Sequence, residues 1–410
     1  MKPHATTLDI LDQLIAFPTV SAQSNLALID YVDDLLSNAG FVTQRIPDPE
    51  GEKSGLVARI GPERPGGVLL SAHSDVVPVA GQEWTYPPFK LTRDGDRLYG
   101  RGTTDMKGFL ASMLSFALRV ADTPLAEPLM LVISYDEEVG CQGIRKMLPG
   151  LENLGWSPDL CIVGEPTLMV PATGHKGKAA LLASCRGIAG HSALAPYYVN
   201  ALHLAADFIG ALRDIQKGYA GGTGQDSAYD IPYSTVHAGK LTGGTALNIV
   251  PEKADIEFEL RHLPHDDLQH FLDLLDKARA QIVAAHSAMA SDVGIDITVT
   301  TTYPGLEIDH DSAVVQRVVD LVQSDSLTKV PFGTEAGFFA NLGIPTIVCG
   351  PGNMEGQGHK ADEFLKLDQL GTCDLMMDRL LKRMTKGSVS SRLNPKQGVR
   401  TSFNPAFGMR

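Results

Sequence analysis

Two spacings of apolar residues divide this 410-residue chain. Residues 6–16 and 25–39 carry apolar side chains every three or four positions, which predicts helices; the second segment runs into Gly40, a common helix terminator. Short apolar runs follow: "GVLLSAH" (67–73), "LMLVISY" (129–135), "LCIVG" (160–164) and "IPTIVCG" (344–350). Each is bounded by polar or glycine residues and predicts a buried strand. A further helical spacing covers 106–121. Strands alternating with helices predict a layered α/β sheet.

The middle of the chain changes period. "KAALLASCRG" (178–187), "YSTVHAGKL" (233–241), "KADIEFELR" (253–261) and "IDITVTTTY" (295–303) show more alternation. Helical stretches at 198–215 and 266–286 separate them, and a glycine-rich loop is expected over 217–232. The order β-α-β-β-α-β predicts a small antiparallel sheet covered by two helices, an α+β unit of ferredoxin-like type. After residue 304 the first pattern resumes. The expected organisation is therefore one layered domain from 1–178 and 304–385, an inserted domain at 179–303, and an extension at 386–410. The extension has five Lys/Arg and no acidic residue, and its Ser, Gly and Pro content places it outside the core.

Composition narrows the function classes. With 43% hydrophobic and 20% charged residues the chain reads as an ordinary globular protein. A formal net charge of −13 argues against nucleic-acid or anionic-membrane surfaces. No apolar stretch approaches the roughly 20 residues of a membrane helix, and no signal peptide is visible. The five cysteines lack paired spacing, which argues against a disulfide framework and a thiolate zinc site, and suits buried thiols in a reducing cytoplasm.

The polar residues that end the apolar strands change the picture most. His73 and Asp75 follow the first run, Asp105 enters the 106–121 helix, and Asp136-Glu137-Glu138 follow the second run. Glu165 follows the third, and His359 lies in the glycine-rich segment after the last. Open α/β sheets bind ligands outside the carboxyl ends of their strands. Carboxylates gathered there would repel and take up protons unless a cation joined them. Two imidazoles and three carboxylates suit zinc or a similar first-row ion; five ligands are too many for one catalytic zinc but enough for two sharing a carboxylate. Asp75 then reads as the partner that orients His73 through its second ring nitrogen. Of the Glu137-Glu138 doublet, one side chain binds metal and the other faces substrate as general base.

The set "SAHSDVVPV", "GRGTTDMKG", "YDEEVG", "VGEPT", "AGHSA", "NIVPEKADIEFELR" and "GHKADEF" resembles the M20 metallopeptidase family over residues 5–385. The resemblance implies a zinc-peptidase-like catalytic domain with an inserted lid that also dimerises. It implies two Zn2+ per subunit, for which Co2+ substitutes. His73, Asp105 and Glu165 would hold the first, and Asp105, Glu138 and His359 the second, with the Asp105 carboxylate bridging and a cis peptide bond following it at Asp105–Met106. It makes Glu137 the general acid/base and His191 a residue that reaches across a homodimer to the oxyanion. Asn248 and Arg261 become lid residues that grip substrate. Plain structural alternatives are that His191 caps a helix near residue 198, that Asn248 shapes a turn, and that Arg261 pairs with an acid such as Asp266.

"VGEPT", "GHKGKAAL", "AGHSALAP" and "FGTEAGFF" are most similar to the members that deacetylate acetylornithine. The expected substrate is a small N-acyl amino acid, N2-acetyl-L-ornithine first. Succinyl-diaminopimelate, acetylcitrulline and a broad range of N-acyl amino acids are the alternatives. Glu335 would pair with the amine of ornithine, unless it only complements the dipole of a helix N-terminus. A non-catalytic binding protein on the same fold is the rival class; it predicts loss of a ligand or of the base, and all six positions are filled.

Overall fold

A computed structural model describes residues 1–21, 23–286 and 292–386. Its largest sheet has the order Val42–Pro47, Ser54–Ile60, Leu129–Ser134, Val68–His73, Leu160–Pro166, Thr346–Gly350, Ala172–His175, Leu306–Glu307, with Thr328–Val330 beside Ala172–His175. The four central strands expected from the apolar runs are mutually parallel. Their carboxyl ends therefore share one edge.

The apolar runs lack alternation because both faces of this sheet are covered. Val68, Leu70, Leu129, Leu131, Leu160 and Ile162 enter one core, with helices Ala5–Ala16, Leu26–Asn38, Gly108–Ala121, Ala313–Val322 and Leu367–Lys386. Leu69, Met130, Val132, Cys161 and Val163 enter a second core on the other face, with helices Gln142–Asn153 and Ala336–Asn341. All five cysteines are buried free thiols. Among the described residues no helix is long and apolar enough to cross a membrane. The extension expected over 386–410 lies, apart from its first residue, outside the described residues.

One glycine brings the site together. A Cβ on Gly164 would lie 2.0 Å from the Phe109 ring. Its absence lets the first turn of Gly108–Ala121 settle on strand Leu160–Pro166, which sets Asp105 beside Glu165. Lys107 is buried there, and its ammonium donates to the carbonyls of Leu14 (3.0 Å) and Phe17 (2.8 Å) at the end of the first helix. Burial pushes its pKa down to about 7.

Residues 177–303 contain the second sheet, order Thr235–Gly243, Lys253–His262, Gly177–Arg186, Gly294–Tyr303, with every pairing antiparallel. Helices Ala201–Gly221 and Leu268–His286 cover one face, and the strand order is that of the ferredoxin-like unit. The first of these helices starts where the Asn200 side chain accepts from the Leu202 amide at 2.9 Å. It runs through Gly221, so residues 217–221 of the expected loop are helical; Tyr219 packs against this core and holds the last turn. Phe208 and Phe258 meet edge to face at the centre, with ring centroids 5.7 Å apart. Phe208→Ala is expected to cost about 3–5 kcal/mol of the stability of this unit. Urea unfolding measures it, and a loss below about 1 kcal/mol would show that the site collapses around the missing ring.

Candidate metal centre

The shared strand edge gathers the acidic and imidazole side chains into one cluster. His73, at the end of its strand, has a side chain only 1% exposed. Its Nε2 lies 3.1 Å from Asp105 Oδ1 and 3.7 Å from Glu165 Oε1. On the far side, His359 Nε2 lies 3.7 Å from Asp105 Oδ2 and 3.1 Å from Glu138 Oε2. The two oxygens of Asp105 thus face different histidines. The Asp105–Met106 peptide bond is cis, as expected.

Two overlapping trios, His73–Asp105–Glu138 and His73–Glu137–Glu165, each bring their donor atoms within 4.8 Å of one another. Ligands of one zinc ion stand about 3–4 Å apart, so the cluster is near the required size. Its electrostatics also call for cations. Burial, with repulsion from Asp105, pushes Glu165 well above the usual carboxylate range, and Glu137 likewise. Glu138 is pushed up to about 7 by burial and by Asp105. Hydrogen bonds that His359 donates to Asp105 and Glu138 push it up to about 10. Glu165 Oε1 is buried with no hydrogen-bond partner among the described residues. A bare buried carboxylate oxygen is costly, and a divalent cation satisfies it. The donor set fits a pair of such ions.

Asp75 does more than orient His73. The nearest acceptor to His73 Nδ1 is the Asp75 backbone carbonyl at 3.0 Å, with the carboxylate Oδ1 at 3.4 Å. The carboxylate itself accepts from Ser21 Oγ (2.7 Å) and from the amides of Glu137 (3.1 Å) and Glu138 (3.3 Å). Burial raises its pKa, but hydrogen bonding and charge from His73 outweigh that and hold it below the usual range. One buried anion therefore fixes the His73 strand end and the Glu137–Glu138 turn together.

The opposite wall of the cleft comes from the smaller sheet. Lys178, Arg261 and Tyr303 line it, with Phe332, Gly333 and Met354 between the two walls, around a space of about 170 Å³. Arg261 donates to the Tyr303 hydroxyl (2.9 Å) and to Glu259 (3.0 Å), not to Asp266. Lys178 is 2.8 Å from the other oxygen of Glu259. Lys178 and Arg261 are direct partners across the two strands. Like charges opposed in a sheet are unfavourable, and here one carboxylate serves two cations. Neither Lys178 nor Tyr303 is singled out by the sequence reading, although Lys178 lies in the quoted "GHKGKAAL".

Three expected site residues are not brought to this cleft within the chain. Glu335 is buried, at 1% exposure, immediately before helix Ala336–Asn341, and does not line the cleft. Burial pushes its pKa up to about 7. Its charge still acts on Glu137 and feels that of His73, so it stands near the acidic wall without entering the lining of the cleft. His191 and Asn248 are exposed, near a two-stranded ribbon formed by Gly190–His191 and Ile249–Val250. His191 Nδ1 accepts from the Ala193 amide at 3.1 Å and so caps a short turn at 192–197; the helix expected near 198 starts at Ala201 with Asn200 as its cap. The Asn248 carbonyl accepts from the Ser192 amide. Leu194, Tyr197, Leu247 and Ile249 are exposed around them.

Comparison with known proteins adds the following. The model of peptidase family M20/M25/M40 matches residues 69–383. Acetylornithine deacetylase of Pasteurella multocida is 32% identical over 398 residues, covering 94% of this chain and 100% of its own. An M20 family metallo-carboxypeptidase from Sulfolobus solfataricus superposes with TM-score 0.75 at 20% identity, covering 92% of this chain and 99% of its own. A dinuclear metal-binding peptidase of Bacillus subtilis superposes with TM-score 0.64 at 16% identity, covering 92% and 96%. The layered domain with an inserted α+β lid is the fold of these structures.

Proposed function

The chain belongs to peptidase family M20/M25/M40 and is a metal-dependent hydrolase, and on that premise we propose that it hydrolyses the amide bond of a small N-acyl amino acid, N2-acetyl-L-ornithine first, in the cytoplasm. The observation that carries this reading is the division of the cleft: a bridged cluster of metal-compatible side chains on one wall, and the Lys178–Arg261 pair on the other. His73, Asp105 and Glu165 would hold one divalent ion, and Asp105, Glu138 and His359 the second. When bound, the ions polarise the acyl carbonyl and lower the pKa of water to the neutral range.

The chain's own residues supply the rest. Arg261 and Lys178 share one neutralising carboxylate, which leaves a net positive wall for the α-carboxylate of an amino acid. That grip sets the acyl amide against the acidic wall. Glu137 takes the proton of the attacking water on a carboxylate oxygen and delivers it to the departing amine nitrogen, so that amide and water become carboxylate and amine. His191, supplied by the partner of a homodimer, donates to the developing oxyanion. The exposed apolar residues around it suit such an interface.

Acetylornithine stands first because of the deacetylase relatives. Rates on acetylornithine, acetylcitrulline and succinyl-diaminopimelate, measured after chelation and after return of zinc or cobalt, test the proposal. The expected result is loss of turnover on chelation, recovery with either metal, and the highest kcat/KM for acetylornithine. A higher kcat/KM for another substrate would replace the substrate assignment, and metal-independent turnover would remove the mechanism.

A further inference from the structure

The two histidines of the cluster are held in different ways. His73 ends a central strand and is buried, whereas the side chain of His359 is 53% exposed. His359 stands on a loop whose backbone is left-handed at His359 (φ 59°) and again at Asp362 (φ 57°). Non-glycine residues adopt that conformation where their surroundings fix it. The Asp362 carboxylate accepts from the amides of Thr85 and Tyr86, and the carbonyls of His359 and Lys360 run to one network.

Glu363 is its centre, buried at 3% exposure. Its Oε1 accepts from the amides of Thr104 (2.9 Å) and Asp105 (3.1 Å). Its Oε2 accepts from the Gly102 amide (3.0 Å) and from Arg101 Nη1 (2.8 Å). Arg101 continues to the Lys360 carbonyl (3.1 Å) and to Gln82 Oε1 (2.7 Å). Gln82 Nε2 then donates to the carbonyl of His359 at 2.8 Å. The backbone of Asp105 and the backbone of His359, 254 positions apart in the chain (359 − 105), are thereby tied through three side chains.

We infer that Gln82, Arg101 and Glu363 are positioning residues that set the separation of Asp105 from His359 and, through it, the affinity of the second metal site; this rests on the metal-centre reading above. The first site takes its histidine from the buried strand and does not depend on the network in the same way. Glu363→Gln is the sharpest probe. Both carboxylate oxygens receive N–H donors, so an amide in either orientation turns its own N–H groups against backbone N–H groups. Gln82→Ala cuts the link to His359 at a partly exposed position and leaves the Arg101–Glu363 pair in place.

Metal-free wild type, Glu363→Gln and Gln82→Ala would be titrated with zinc against a chromophoric chelator, and with cobalt by its visible absorption. Wild type should bind two ions. Gln82→Ala should hold the first ion within about threefold of wild type and the second about 10–100-fold more weakly, the usual effect of losing a partner that orients a metal ligand; Glu363→Gln, which also disturbs Asp105, a ligand of both sites, should weaken the second ion at least as much. Turnover should fall at limiting metal and recover with excess, with KM unchanged. Equal affinities for both ions in wild type and variants would overturn the inference alone, as would equal weakening of the two sites in Gln82→Ala. A wild-type protein that binds no second ion would overturn the metal-centre reading along with it. If Glu363→Gln does not fold, the second-site affinity of Gln82→Ala decides the matter.

Discussion

With Glu137 replaced by Gln, kcat is expected to fall by about 10²–10⁴-fold while metal and substrate still bind. The amide keeps the shape of the side chain and removes the proton acceptor. Its surroundings suit a base rather than a surface acid: the Glu137 amide is anchored on Asp75, and the Cys141 thiol donates to Glu137 Oε1 at 3.3 Å. Burial, together with the neighbouring Glu138 and Asp105 charges, raises its affinity for a proton, as a group that must accept one and pass it on requires. Because a Glu137 oxygen also lies within reach of His73 and Glu165, metal content is the discriminating measurement. Glu138→Gln, which alters an oxygen 3.1 Å from His359, should lower metal affinity instead. If Glu137→Gln kept more than about a tenth of wild-type turnover with metal bound, the proton-transfer role would belong to another group.

Replacing His191 by Ala is expected to lower kcat by about 10²–10³-fold, the usual cost of one oxyanion donor. Its imidazole accepts the Ala193 amide on Nδ1, which leaves the proton on Nε2 and makes that atom a donor. Within the chain it does not line the cleft, and in the proposed homodimer a second subunit would present it. Mixing His191→Ala subunits with Glu137→Gln subunits tests this directly. Each homodimer should be nearly inactive. A mixed dimer combines one intact base with one intact histidine at a single site, and should recover about half of the wild-type activity. Subunit exchange without recovery would place the action of His191 within its own chain, or nowhere.

The cluster was legible because strand ends in a parallel sheet converge, and because His, Asp and Glu have few reasons to gather there without a cation. His73, Asp105, Glu165, His359 and one of the Glu137-Glu138 pair follow from that pairing of topology with chemistry, and the family resemblance chose Glu138 of the two. The network behind them was not legible. Glu363 and Arg101 lie within the quoted "GHKADEF" and "GRGTTDMKG", yet their partners are mostly backbone amides and carbonyls, which carry no residue signature. Glu335 was ambiguous for a related reason: a position beside a helix start does not say which way the carboxylate turns. The outer strands Val42–Pro47 and Ser54–Ile60 escaped notice because the first is largely exposed and shows no apolar run.

The order of the large sheet has a consequence for biogenesis. Strand Thr346–Gly350 lies between Leu160–Pro166 and Ala172–His175, although it is translated about 170 residues after the latter. As the chain leaves the ribosome, Leu160–Pro166 has no neighbour on that side until residue 350 has emerged. The inserted unit, complete by Tyr303, meets no such delay and is able to fold first, as domains do during synthesis. The nascent protein therefore carries a finished inserted unit before it owns a finished large sheet, and His359, the last of the clustered side chains to be made, arrives only after the gap has been filled.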